Sequence, residues 1–116
     1  MKKFILIASL AILLLAACED TEQSTNPAWV DQLIEQFEKA PAGNPPLSIW
    51  QYEYKGETVY FVPAHCCDIA SVVYDASGEV ICSPDGGITG KGDGRCDDFF
   101  DQRSNEQLIW KDERKR

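Results

Sequence analysis

The chain reads as a small α+β domain: an N-terminal helix packed on a four-stranded antiparallel meander, a glycine-rich loop braced by disulfides, and a short C-terminal helix. Three observations predict it. Apolar residues recur at helical spacing over 29–37, the period changes to two from residue 47, and five of the eight glycines crowd into residues 83–98.

Asn26-Pro27 opens the helix, with Asn26 as the N-cap and Pro27 at the first helical position. Trp29, Val30, Leu33, Ile34 and Phe37 form its inward stripe, opposite Asp31, Glu35 and Glu38. Pro41, Gly43, Pro45 and Pro46 end it. Residues 48–54 and 58–62 then alternate around Lys55-Gly56-Glu57, the mark of a hairpin. Residues 69–74 and 79–82 around Asp75-Ala76-Ser77-Gly78 predict a second, with 65–68 as the corner between them. Phe99 and Phe100 return to the core. Ser104-Asn105-Glu106-Gln107 resembles a capping box and predicts a helix with Leu108, Ile109 and Trp110 inward. Domain boundaries follow: a targeting segment at 1–17, a lipidated Cys and polar tether at 18–26, one domain at 27–110, and a charged, frayed tail at 111–116.

The targeting segment rests on Lys2 and Lys3, the uncharged run Phe4 to Ala17, and Leu15-Ala16-Ala17-Cys18. That run is short for a membrane span of ~20 residues. Leu followed by two small residues and Cys is a lipobox, so the expectation is cleavage before Cys18 and lipid on its thiol. Two or more acyl chains on that residue anchor a protein without any help from the domain. The expected place is the cell envelope, outside the cytoplasm, at an outer membrane with the domain facing the periplasm or the surface. The polar tether reaches at most ~28 Å, keeping the domain near its membrane.

The chain carries a net −8, and loss of Lys2 and Lys3 with the targeting segment makes it −10. Such a charge disfavours nucleic acid and anionic lipid as partners. Cys66, Cys67, Cys82 and Cys96 follow the anchor cysteine, an even number in a small exported chain, and predict two disulfides. A bond between adjacent Cys66 and Cys67 strains the peptide between them, which leaves 66–82 with 67–96, or 66–96 with 67–82. Either bridge closes a loop that contributes on the order of 3 kcal/mol.

Candidate chemistry is sparse. His65 and the cysteines have zinc-ligand types but no CxxC pair and no helical HxxxH, and an oxidising compartment converts the thiols first. Asp85, Asp93, Asp97 and Asp98 sit on a loop whose carbonyls could complete a calcium shell, yet their spacing fails the EF-hand pattern. The glycine run lacks the ending and following helix of a phosphate loop. His65 is the one histidine, and no serine has an elbow motif, so no enzyme and no cofactor are expected.

Residues 63–68 (Pro-Ala-His-Cys-Cys-Asp), 74–82 and 84–96 together resemble a family of short uncharacterised Bacteroidota lipoproteins with a CC…C…GxGDGxC pattern. The likeness spans about Trp29 to Phe100. It implies an exported, disulfide-bonded, lipid-anchored protein and nothing catalytic; the helix-then-meander order also resembles cystatin-like and periplasmic inhibitor-type domains in fold alone. Two functions are therefore expected in competition. The first is a binding module that presents the glycine loop to an envelope protein or peptide through Ile88, Lys91 and Arg95. The alternative is a structural envelope lipoprotein, stabilised by calcium.

Overall fold

The computed structural model describes residues 25–43, 45–65 and 68–114. Seven elements follow in chain order: α1 (Ala28–Lys39), β1 (Ser48–Tyr54), β2 (Glu57–Val62), β3 (Val72–Asp75), β4 (Val80–Cys82), α2 (Phe99–Gln102) and β5 (Ser104–Lys111). The strands form one antiparallel sheet in the order β4-β3-β2-β1-β5.

α1 begins one residue later than its sequence signal suggests. Pro27 takes the N-cap position, and its carbonyl accepts from the N–H groups of Val30 (3.0 Å) and Asp31 (3.3 Å). The inward stripe lands as spaced. Val30 is fully buried against Ile49, Tyr60 and Val62, while Trp29, Leu33, Ile34 and Phe37 pack around the same cluster. Trp29 meets the edge of Tyr60 at 5.3 Å between centroids and donates its indole N–H to the Ala76 carbonyl at 2.9 Å, tying the helix to the far hairpin.

The first hairpin turns on two residues, because Tyr54 pairs directly with Glu57. Lys55 and Gly56 have φ of 52° and 83°, the left-handed pair that a twisted two-residue turn needs. In the second hairpin the Asp75 carboxylate organises the turn, accepting from the Ser77 N–H and hydroxyl (2.9 and 2.7 Å) and from the Glu79 N–H (3.0 Å). The third strand is shorter than expected, starting at Val72. The preceding residues are engaged with the glycine loop instead.

The C-terminal region departs most from the sequence expectation. Residues 104–111 are the fifth strand, and helical residues come one turn earlier, at Phe99–Gln102. β1 would otherwise expose a row of unpaired backbone groups, and an eight-residue strand beside it satisfies them. That long-range pairing overrides a local capping pattern, and Glu106 accepts from the Tyr52 hydroxyl at 2.8 Å rather than capping a helix. The four-stranded meander thus becomes part of a five-stranded sheet whose last strand returns beside the first.

The expected frayed tail is also partly structured. Lys111 lies in β5, and Asp112 is buried, paired through both carboxylate oxygens with the Arg114 guanidinium (2.9 and 2.8 Å). Arg114 in turn donates to the carbonyls of Phe37, Glu38 and Ala40 at 3.2, 2.9 and 3.0 Å, joining the Ala40 N–H on the Phe37 carbonyl and helping to satisfy the acceptors at the end of α1. This clamp holds the Asp112 carboxyl down at about 2.

Both faces of the sheet are covered. α1 lies on one. On the other, Tyr52, Tyr54, Val59, Phe61 and Val73 pack under the segment that links β4 to β5, which inserts Cys96 and Phe99. Phe99 is fully buried, with centroids 5.1–5.7 Å from the rings of Phe61, Tyr54, Phe100 and Tyr52.

Candidate functional site

The glycine-rich segment leaves β4 at Cys82 and re-enters the core at Cys96. These two cysteines are bonded to each other, with Cα atoms 6.0 Å apart and both side chains buried. That bond overturns both expected pairings, in which Cys82 and Cys96 were each joined to the 66–67 pair. The spatial reason is Phe99. Drawing it under the sheet brings Cys96 back beneath the end of β4, where Cys82 points to the same face. Cys66 and Cys67 lie outside the described residues, as does Cys18.

Between the cysteines the backbone closes on itself. The Asp93 N–H donates to the Ser83 carbonyl (2.9 Å), and the Gly92 N–H to that of Gly86 (3.1 Å). Fully buried Ser71 fastens this base to the sheet. Its N–H and hydroxyl both donate to the Asp85 carbonyl at 3.0 Å, and its oxygen accepts from the Asp85 N–H at 3.2 Å. Gly92 has φ of 68°, and a Cβ there would collide with the Ser83 carbonyl, so no other residue fits. Gly86 is similarly confined, with a Cβ position 2.9 Å from the Ala64 methyl.

Above this base sits a tight turn. The Gly90 N–H donates to the Gly87 carbonyl and the Gly86 N–H to the Gly90 carbonyl, both at 3.2 Å, leaving Ile88 and Thr89 at the apex. Ile88 is 88% exposed, far more than any other large apolar residue described. Lys91 is exposed beside it. Arg95, the third expected contact residue, folds back instead, its Nε 3.0 Å from Asp93 Oδ2.

The four carboxylates considered for calcium are dispersed. Asp93 is held by the Arg95 backbone N–H and guanidinium, which lower its carboxyl below the usual range. Asp98 accepts from the Tyr54 hydroxyl at 2.5 Å and pairs with Lys55 at 3.2 Å, with the same lowering effect. Asp97 is exposed, and the Asp85 Oδ1 is buried without a hydrogen-bond partner. No group of three or more metal-ligating side chains forms among the described residues.

Sequence reasoning missed a polar rim beside the loop. Arg103 lies over the rings of Tyr52 and Phe100 at 4.9 and 4.8 Å and donates to the Tyr52 hydroxyl at 3.1 Å. Burial, followed by the bond to Glu106, pushes the Tyr52 hydroxyl up to about 12. These groups pair with one another, as a structural network does. Only the placement of Glu106 on a strand reveals it, and that depended on β5.

A family model described as a domain of unknown function, DUF6970, matches residues 35–112. The chain belongs to that family. The DUF6970 match begins in the last turns of α1 and ends at buried Asp112, so it takes in the whole sheet, the disulfide-braced loop and the anchor of the Arg114 clamp. No curated protein and no solved structure matches the chain.

Proposed function

We propose that this DUF6970 chain is a lipid-anchored, extracytoplasmic binding module, without enzymatic activity, that presents its glycine loop to an envelope protein or peptide. The observation that carries the reading is the apex of that loop, where Ile88 stands 88% exposed on a backbone closed by a disulfide and by its own hydrogen bonds. A preorganised loop loses little entropy when a partner covers it, and an exposed branched apolar side chain beside a lysine gives such a partner both contact area and a charge. Membrane attachment is proposed from Leu15-Ala16-Ala17-Cys18 and the short polar tether after it.

The test replaces the apex alone, since the base of the loop is part of the fold. Pull-down from native membranes with the intact lipoprotein should capture a partner that Ile88→Ala/Lys91→Ala does not, at an unchanged thermal midpoint, because exposed substitutions shift stability by less than ~0.5 kcal/mol. Equal capture by both proteins would remove the loop from the interface. Cys18→Ala should abolish incorporation of labelled palmitate.

A second reading, a structural lipoprotein with calcium on the loop, has one observation in its favour: the unpartnered Oδ1 of Asp85. It requires millimolar Ca²⁺ to raise the melting temperature of chelator-treated protein, a rise that Asp85→Asn removes.

A further inference from the structure

The two ends of the sheet differ in what the chain does there: it enters at one, and the glycine loop is fastened to the other. Val59 pairs with Asp75, so the turns at 55–56 and 76–78 lie at the same end. α1 starts there too. The Trp29 indole N–H reaches the Ala76 carbonyl at 2.9 Å, and its ring lies so close over Gly78 that a Cβ there would come within 3.0 Å. The base of the loop is held at the opposite end, ahead of β3, by Ser71 on Asp85 and by the bridge between Ala70 and Gly86. From Ala70 to Ala76 the chain runs through β3 and advances about 20 Å at the ordinary rise of a strand.

On the lipid-anchored reading proposed above, only the seven residues 18–24 separate Thr25, the first described residue, from the bilayer. Seven residues extend to at most ~25 Å, and their relaxed end-to-end distance is about 15 Å. With the entry end beside the bilayer the tether stays relaxed. Turning the domain over, so that the loop meets the headgroups, moves the entry end away by the length of the sheet, about 20 Å before the height of the loop is added. That posture pulls the tether close to its limit and removes most of its conformational freedom. The net −8 of the chain, which becomes −10 without Lys2 and Lys3, opposes flat adsorption on anionic lipid.

We infer that the domain stands on its bilayer by the end that carries the turns at 55–56 and 76–78, and holds Ile88 and Lys91 toward the aqueous compartment, where their partner is a soluble protein or peptide rather than one embedded in the same bilayer. The loop reading says that the apex binds; tether length and topology say from which side the partner comes.

The experiment uses the nitrogen-15-labelled mature lipoprotein in nanodiscs of phosphatidylcholine and phosphatidylglycerol, doped with a lipid whose headgroup chelates gadolinium. Amides at 55–57 and 76–79 should relax severalfold faster than those at 86–92. Inserting about twenty Gly and Ser residues after Asp20 raises the relaxed tether length to about 30 Å, beyond the length of the sheet, and should reduce the difference between the two ends. Ile88→Ala/Lys91→Ala should give the parent profile, so that loss of orientation and loss of partner capture are read separately. A protein captured through Ile88 and Lys91 from native envelopes should be released by alkaline carbonate without detergent. Equal relaxation at both ends of the parent, faster relaxation at 86–92, or capture of an integral membrane protein would overturn the inference. Relaxation that the gadolinium lipid leaves unchanged at every amide would overturn it together with the anchoring reading.

Discussion

Replacing Cys82 and Cys96 together by Ala removes the covalent closure between β4 and α2 while leaving Phe99 in place. The bond spans a sequence separation of 14. A cross-link around a loop of this size restricts the unfolded chain by about 3 kcal/mol. Single domains are stable by roughly 5–15 kcal/mol, so the loss is a large share. At roughly 4–8 °C per kcal/mol for a domain of this size, the thermal midpoint should fall by about 12–24 °C. The assay is a far-UV circular dichroism melt without reductant, paired with non-reducing peptide mapping of the parent. Hydrogen exchange adds a local readout: the Asp93 and Gly92 amides, which close the base of the loop, should lose protection before the strands do. A midpoint shift below about 3 °C, or a map joining Cys82 to any cysteine other than Cys96, would refute the reasoning.

Two further perturbations test the frame around the loop. Phe99→Ala empties the centre of the aromatic cluster and should cost about 3–5 kcal/mol in urea denaturation; a cost below ~1 kcal/mol would mean that the segment linking β4 to β5 does not cover that face. Asp112 has its carboxyl lowered from 3.8 to about 2 by Arg114, so its contribution to stability is full above about pH 4 and is lost as the pH falls through 2. Asp112→Asn should therefore flatten the acid limb of the urea midpoint between pH 4 and 2, and an unchanged limb would show that the clamp contributes nothing there.

Most of the fold was legible wherever a local signal and the tertiary context agree. The stripe Trp29, Val30, Leu33, Ile34 and Phe37 admits only a helix, and the alternation on either side of Lys55-Gly56 admits only a hairpin. Residues 104–111 were misread because Ser104 to Gln107 imitates a helix start, and nothing local announces that the edge of β1 is vacant. The pairing was misread for a related reason. Excluding a bond between neighbours leaves Cys82 and Cys96 to seek other partners, whereas their closeness is set by where Phe99 is buried, a long-range fact. The Asp112–Arg114 clamp was hidden in what read as a polar tail. Of the loop, the sequence exposed its glycine content and its apex residues, but not that Arg95 is occupied by Asp93.

The glycine loop divides physically into two parts, and the division bears on what can evolve there. Its base is confined: Gly92 against the Ser83 carbonyl, Gly86 against Ala64, and Ser71 bonded to both the N–H and the carbonyl of Asp85 leave no room for larger side chains. Its apex is exposed, with the Ile88 and Lys91 side chains in solvent, so substitutions of those side chains should leave the base in place. The sheet already has both faces covered, by α1 and by the segment carrying Phe99, so Ile88 is not a core residue left without a place. On the binding role proposed above, a rigid base under a tolerant apex would let binding preference change without loss of the fold. It also predicts where variation should concentrate among DUF6970 chains. Glycine should persist at 86 and 92, where its absence is sterically forbidden, while positions 88, 89 and 91 change together with the partner; invariant apex residues over a variable base would argue that the loop packs for structure alone.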